Sequence, residues 1–169
     1  MRMPFIYLLI LLIALCGCSP EPSETKTPAT VDTWLPLRIG TREIEVQIAL
    51  SRAEQAKGLM NRASIPENGG MLFAYRAPVP MSFWMANTSI PLDIGFFDDS
   101  GQLVEVRRMV PYDTGRTQAH AHNLQYALEM NTGWFSKNGI YPGTRMDMQA
   151  LAAALKARGA NPALFGINE

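Results

Sequence analysis

Two carboxylates in this chain stand where an ionised acid is costly. Asp93 lies between Leu92 and Ile94, and Glu129 lies between Leu128 and Met130; in such apolar stretches a charge needs a partner or water. Two arrangements would meet that need. Ion pairs with Arg62 or Arg145 would make both acids structural. If the two instead faced each other across a cleft, one protonated and one ionised, they would form the acid and base of a hydrolase acting on envelope glycans. Asp93 and Glu129 are therefore the catalytic candidates.

The neighbouring polar groups extend this into a candidate ligand-binding set of Arg62, Asn87, Thr88, Asp93 and Glu129. Arg62 carries a planar fork that holds a carboxylate or phosphate through two hydrogen bonds. Asn87 and Thr88 follow a hydrophobic stretch and precede Ile90-Pro91, a place where short polar side chains bond the local backbone of a turn. The Asn87 amide, with two donors and an acceptor, would equally suit the rim of a ligand cleft.

A different chemistry is suggested by soft and imidazole ligands. Met60, Met71, Met81, Met85, Met109 and Met130 are many for one small domain, and thioethers select Cu(I). In an extended His120-Ala121-His122 both imidazoles would share one face. A Met/His copper site built from His120, His122, Met81 and Met85 is thus an alternative function. Against it, Met81, Phe83 and Met85 alternate as core-facing residues do, and histidines in a polar loop are usually solvated. No nucleophile motif, phosphate-cradling glycine loop or dinucleotide fingerprint is present, so no cofactor is implied.

The N-terminus gives the address. Arg2, the apolar run from Pro4 to Leu15 and the sequence Leu15-Cys16-Gly17-Cys18 resemble a bacterial lipoprotein signal. Cleavage before Cys18 and its acylation would anchor the mature chain to a membrane surface facing the periplasm, and Ser19 resembles lipoproteins sent to the outer rather than the inner membrane. Both cysteines lie in this segment, so no intrachain disulfide remains to support the fold. Fifteen basic residues balance fifteen acidic ones, and removing Arg2 leaves 14 against 15. Nucleic acid is not an expected partner, and no polybasic segment suggests attraction to anionic lipid. The expected partners are the membrane, through lipid on Cys18, and a small ligand or an envelope protein.

The elements that must position these groups follow from local patterning. Residues 18–33, rich in Pro, Ser, Thr and charge, read as a disordered tether, and residues 34–169 as a single domain. LPLRIG and EIEVQIAL alternate around Gly40-Thr41 as a hairpin, with Ile44, Val46, Ile48 and Leu50 on one face. Ser51 and Glu54 form a capping box for a helix from about Arg52 to Leu59. Further strands are expected over MLFAY, Val79 to Met85, Leu92 to Phe97, QLVEVRRM and Tyr126 to Met130. Tyr112 to Asn123 reads as a long polar loop suited to function. Asp147 caps a C-terminal helix over about 148–158. The fold class is α+β, a mostly antiparallel sheet with barrel closure as one option, short marginal helices and the C-terminal helix.

Four blocks in order, RAEQAKGLMNR (52–62), GGMLFAY (69–75), FWMANTSIPLDIGFFDDSG (83–101) and YALEMNTGW (126–134), together resemble the domain of unknown function 192 family over roughly residues 37–146. The resemblance implies a small α+β domain, often exported or lipid-anchored, with no activity established for the family. Ala86 stands where a lysine commonly does in that family, and the alanine-rich C-terminal helix lies beyond the motif blocks. These features together favour a binding module of the cell envelope over an enzyme.

Overall fold

A computed structural model describes residues 27–168. The lipoprotein signal, Cys18 and most of the expected tether lie outside the described residues. No helix among the described residues is long and apolar enough to cross a membrane.

Strands β1 (Leu35–Ile39) and β2 (Arg42–Ala49) form the expected hairpin, pairing Ile39 with Arg42. Its two-residue turn needs Gly40 at φ +56, a region that costs other L-residues energy. Helix α1 (Arg52–Lys57) carries the reciprocal capping box of Ser51 and Glu54 and stops at Gly58, also at positive φ, two residues short of the expected end. The chain returns as β3 (Gly69–Val79), parallel to β2. Pro80 then removes a ladder donor. The strand expected over Val79 to Met85 is accordingly reduced to β4 (Ser82–Phe83).

Strands β5 (Leu92–Phe97) and β6 (Leu103–Met109) form an antiparallel hairpin. Inside the polar loop, β7 (Thr117–Gln118) pairs with β4 as a separate two-stranded ribbon. Strand β8 (Leu124–Asn131) then inserts between β3 and β5, giving the order β1-β2-β3-β8-β5-β6 with only the β2–β3 pair parallel. Helices α2 (Trp134–Lys137) and α3 (Met148–Ala157) and a 3-10 turn at Pro162–Phe165 complete the chain. Residues 145–146 bridge Ile39 and Gln102 at one end, but the sheet does not close into a barrel.

Each face of the sheet buries its own core. On one, Ile44, Val46, Ile48, Leu128 and Phe97 pack under Trp134, Leu151 and Leu155 of α2 and α3. On the other, Phe73, Ile94, Phe96 and Ala127 pack under Leu59, Met81, Phe83, Met85 and Ile90. Residues 29–33, expected within the tether, are held against the domain. The Ala29 amide donates to the Ala157 carbonyl at 2.7 Å, and the buried Arg158 guanidinium reaches the carbonyls of Ala29 and Ile48 and, at 2.6 Å, the Glu54 carboxylate.

Candidate functional site

Strand register decides what the two carboxylates can do. Glu129 on β8 sits opposite Ile94 on β5, while Asp93 sits opposite Met130. Cross-strand partners share a face and successive residues alternate, so Asp93 and Glu129 project from opposite faces of the sheet. The paired-carboxylate hydrolase is thereby corrected: the sheet lies between its proposed acid and base.

Asp93 is fully engaged at the β8–α2 junction. It accepts the Gly133 amide at 2.7 Å and the Thr132 hydroxyl at 3.0 Å, with Arg108 Nε at 3.6 Å. The expected partners are occupied elsewhere: Arg62 pairs with Asp32 at 3.2 Å, and Arg145 bonds Ser100 and Gln102. Asp93 is therefore an ion-pair member, with Arg108 in place of the expected Arg62 or Arg145.

Glu129 differs. Its row across the sheet runs Gln47, Met71, Glu129, Ile94, Arg107, and the residue is 4% exposed. No described residue gives it a hydrogen bond or an ion pair. Burial pushes its carboxyl up to about 8. Burial first, and then the Glu129 charge, also raise the Tyr75 phenol above its ordinary value.

The Glu129 carboxyl faces a crevice assembled from all four sequence blocks. From the first, Gly58 ends α1 so that Leu59 and Met60 turn inward behind Lys57. Phe73 comes from the second. From the third, Phe83 points in and meets Phe73 edge-on at 4.9 Å, Trp84 stands 46% exposed beside the opening, and Thr88 contributes a hydroxyl that donates to the Ala86 carbonyl at 3.1 Å. The enclosed space, about 20 Å³, admits about one water molecule.

Asn87 has the turn role. It sits at φ +53 and its carbonyl accepts the Asn61 amide at 2.8 Å; Asn is among the few residues that adopt this region readily. The crevice takes Thr88 but neither Asn87 nor Arg62. Met81 and Met85 are buried core residues, whereas the His120 side chain is 80% exposed and its ring nitrogens meet Arg107. Among the described residues no three His, Cys, Asp or Glu side chains converge as metal ligands. The copper reading is corrected to core methionines and surface histidines.

The crevice walls Lys57, Phe73, Phe83 and Trp84 were not singled out as site residues from the sequence. The available signal was the alternation in Phe83-Trp84-Met85, which leaves an exposed indole between two core side chains.

The DUF192 family model, described as uncharacterized ACR, matches residues 35–148, a span that contains every wall of the crevice. No curated protein matches the chain. Among solved structures, a protein of unknown function from Novosphingobium aromaticivorans is 31% identical, with TM-score 0.65 over 78% of this chain and 99% of that one. A putative transcription regulator from Sinorhizobium meliloti is 27% identical, with TM-score 0.65 over 68% of this chain and 93% of that one.

Proposed function

The chain belongs to the DUF192 family, and from that premise we propose that it is a lipid-anchored binding module of the bacterial cell envelope that takes the tip of a small ligand into the crevice over Glu129. The observation that carries this reading is a buried carboxyl with no partner among the described residues, set where the four sequence blocks meet. In so apolar a wall an ionised carboxylate is costly, and a ligand entering the crevice would offer the carboxyl a bond partner.

With its acidity pushed to about 8, Glu129 holds its proton at neutral pH and is a hydrogen-bond donor in an apolar wall. The matching ligand presents an acceptor oxygen, from an amide or a carboxylic group, with Lys57 adding positive charge at the opening. The body of the ligand would lie against Trp84. Leu15-Cys16-Gly17-Cys18 supports the anchor, and Ser19 an outer-membrane address. The balance of fifteen basic against fifteen acidic residues argues against carrying over the description of the S. meliloti protein, since nucleic-acid affinity draws largely on net positive charge.

A thermal-shift screen of the full chain with small amides, carboxylates and amines tests the ligand class. A ligand at about a hundred times its dissociation constant adds about 2.7 kcal/mol to the native state. Amide or carboxylate hits should survive Glu129→Gln, which keeps a donor, and vanish in Glu129→Leu. Hits confined to amines and lost in Glu129→Gln would refute the neutral-donor reading. For the anchor, Cys18→Ser should release the chain from the membrane fraction and abolish labelling by palmitate.

A further inference from the structure

Arginines that are scattered in the sequence converge on a second cleft. β6 supplies Arg107 and Arg108 at the edge of the sheet, and the β4–β7 ribbon brings Arg116, Gln118, His120 and His122 beside them around a space of about 640 Å³. No polybasic run marks this site, because Met109 to Gly115 separates the arginines along the chain; the fold makes the patch that the sequence lacks.

The acids nearby are already committed. Glu105 lies 3.2 Å from Arg107 Nε and 3.5 Å from His120 Nδ1, and it also accepts the amides of His120 and Ala121. Asp93 touches Arg108 at 3.6 Å while bound to Thr132 and Gly133. Arg116 lies over the Trp84 ring, 5.6 Å from its centroid. Among the described residues neither Arg116 nor His122 has a carboxylate at ion-pair distance. The Arg108 side chain meets Asp93 only through Nε and is 74% exposed, so the rest of its guanidinium faces solvent.

We propose that this cleft binds a phosphate group, either free or as a phospholipid headgroup. Arg107 is held by Glu105, Gln118 and His120, which leaves the exposed guanidinium forks of Arg108 and Arg116 approaching from two elements. Two forks set apart suit an oxyanion whose oxygens point in several directions, whereas a planar carboxylate is satisfied by one fork. The site is separate from the crevice over Glu129 and would stand if that reading failed.

The two histidines of the chain both line this cleft, so their ring NMR signals report on it alone. The full chain is held in maltoside micelles, which carry no phosphate, and titrated with inorganic phosphate, with sodium chloride at matched ionic strength as control, and separately reconstituted in bilayers containing phosphatidylglycerol. A saturable shift with phosphate identifies a free anion site. A shift produced by phosphatidylglycerol alone identifies the headgroup as the source. In either case Arg108→Gln/Arg116→Gln should weaken the response at least tenfold with the fold unchanged. Should that double variant unfold, Arg116→Gln alone reads the same loss, since Arg116 touches only the Trp84 ring among the described contacts. Histidine signals unmoved by both phosphate sources, reproduced by chloride, or unaltered by the substitutions would overturn the proposal.

Discussion

Asp93 and Glu129 lie on adjacent strands, each opposite the residue next to the other, and point to opposite sides of the sheet. They share neither a cavity nor a partner. Replacing both with their amides should give stability changes that add to within about 0.5 kcal/mol, despite the short distance between their backbones. Urea denaturation of the two single variants and the double variant measures this. A larger coupling would mean that the two carboxyls communicate through the sheet.

Glu129 sets a pH dependence of unusual sign. Its folded-state value of about 8 is above the ordinary value of 4.5, so between those limits the folded chain holds a proton that the unfolded chain has lost. Stability therefore falls as pH rises from about 4.5 to about 8 and levels off beyond. The cost is on the order of 5 kcal/mol when complete. Glu129→Gln should remove this slope and be the more stable protein at pH 8, as read by denaturation midpoints across the range.

Arg158 ties α3 to β2, to α1 and to the segment leading into β1. Arg158→Met should cost about 3 kcal/mol, because it leaves the Glu54 carboxylate without its cation and two carbonyls without the guanidinium donor. Burial pushes the Glu54 carboxyl up, but the amides of Ser51 and Leu50 and the Arg158 guanidinium together hold it below its ordinary value. The stabilising contribution of Glu54 is thus complete above about pH 4.5 and lost on further acidification. In Arg158→Met that acid-side loss should shrink, and exchange of the Ala29 amide should accelerate.

Asn87 is held in the left-handed region by its turn. Asn87→Ala should destabilise the chain by about 1 kcal/mol, while Asn87→Gly should be close to neutral. Neither should alter ligand affinity at the crevice, which Asn87 does not line. A large affinity loss in Asn87→Gly with unchanged stability would assign this side chain to binding after all.

The two hairpins, the capping box and the C-terminal helix were legible because period and cap chemistry are local. The opposition of Asp93 and Glu129 was not, since it depends on β8 inserting beside β5, a long-range pairing that local alternation does not specify. The partner of Arg62 was missed because Asp32 lies in a segment whose composition reads as tether, although its backbone is tied down by Gln47 and Arg158. Likewise the arginine cleft depends on a ribbon of only two residue pairs, too short to leave a periodic signal. Glu129 was found from the sequence through its polarity in apolar surroundings and Thr88 through its place at a turn before Ile90-Pro91; Phe73 and Phe83 were hidden among ordinary core residues.

Trp84 gives the molecule an optical reporter of its own. Of the three tryptophans, Trp134 is buried and Trp34 half-buried, and Trp84 alone is largely open to solvent. Its indole borders the crevice over Glu129 and carries Arg116 of the arginine cleft on its ring. Collisional quenching by a neutral solute will therefore be dominated by this one side chain, and a molecule settling on either side of it will change the emission without any label having been attached.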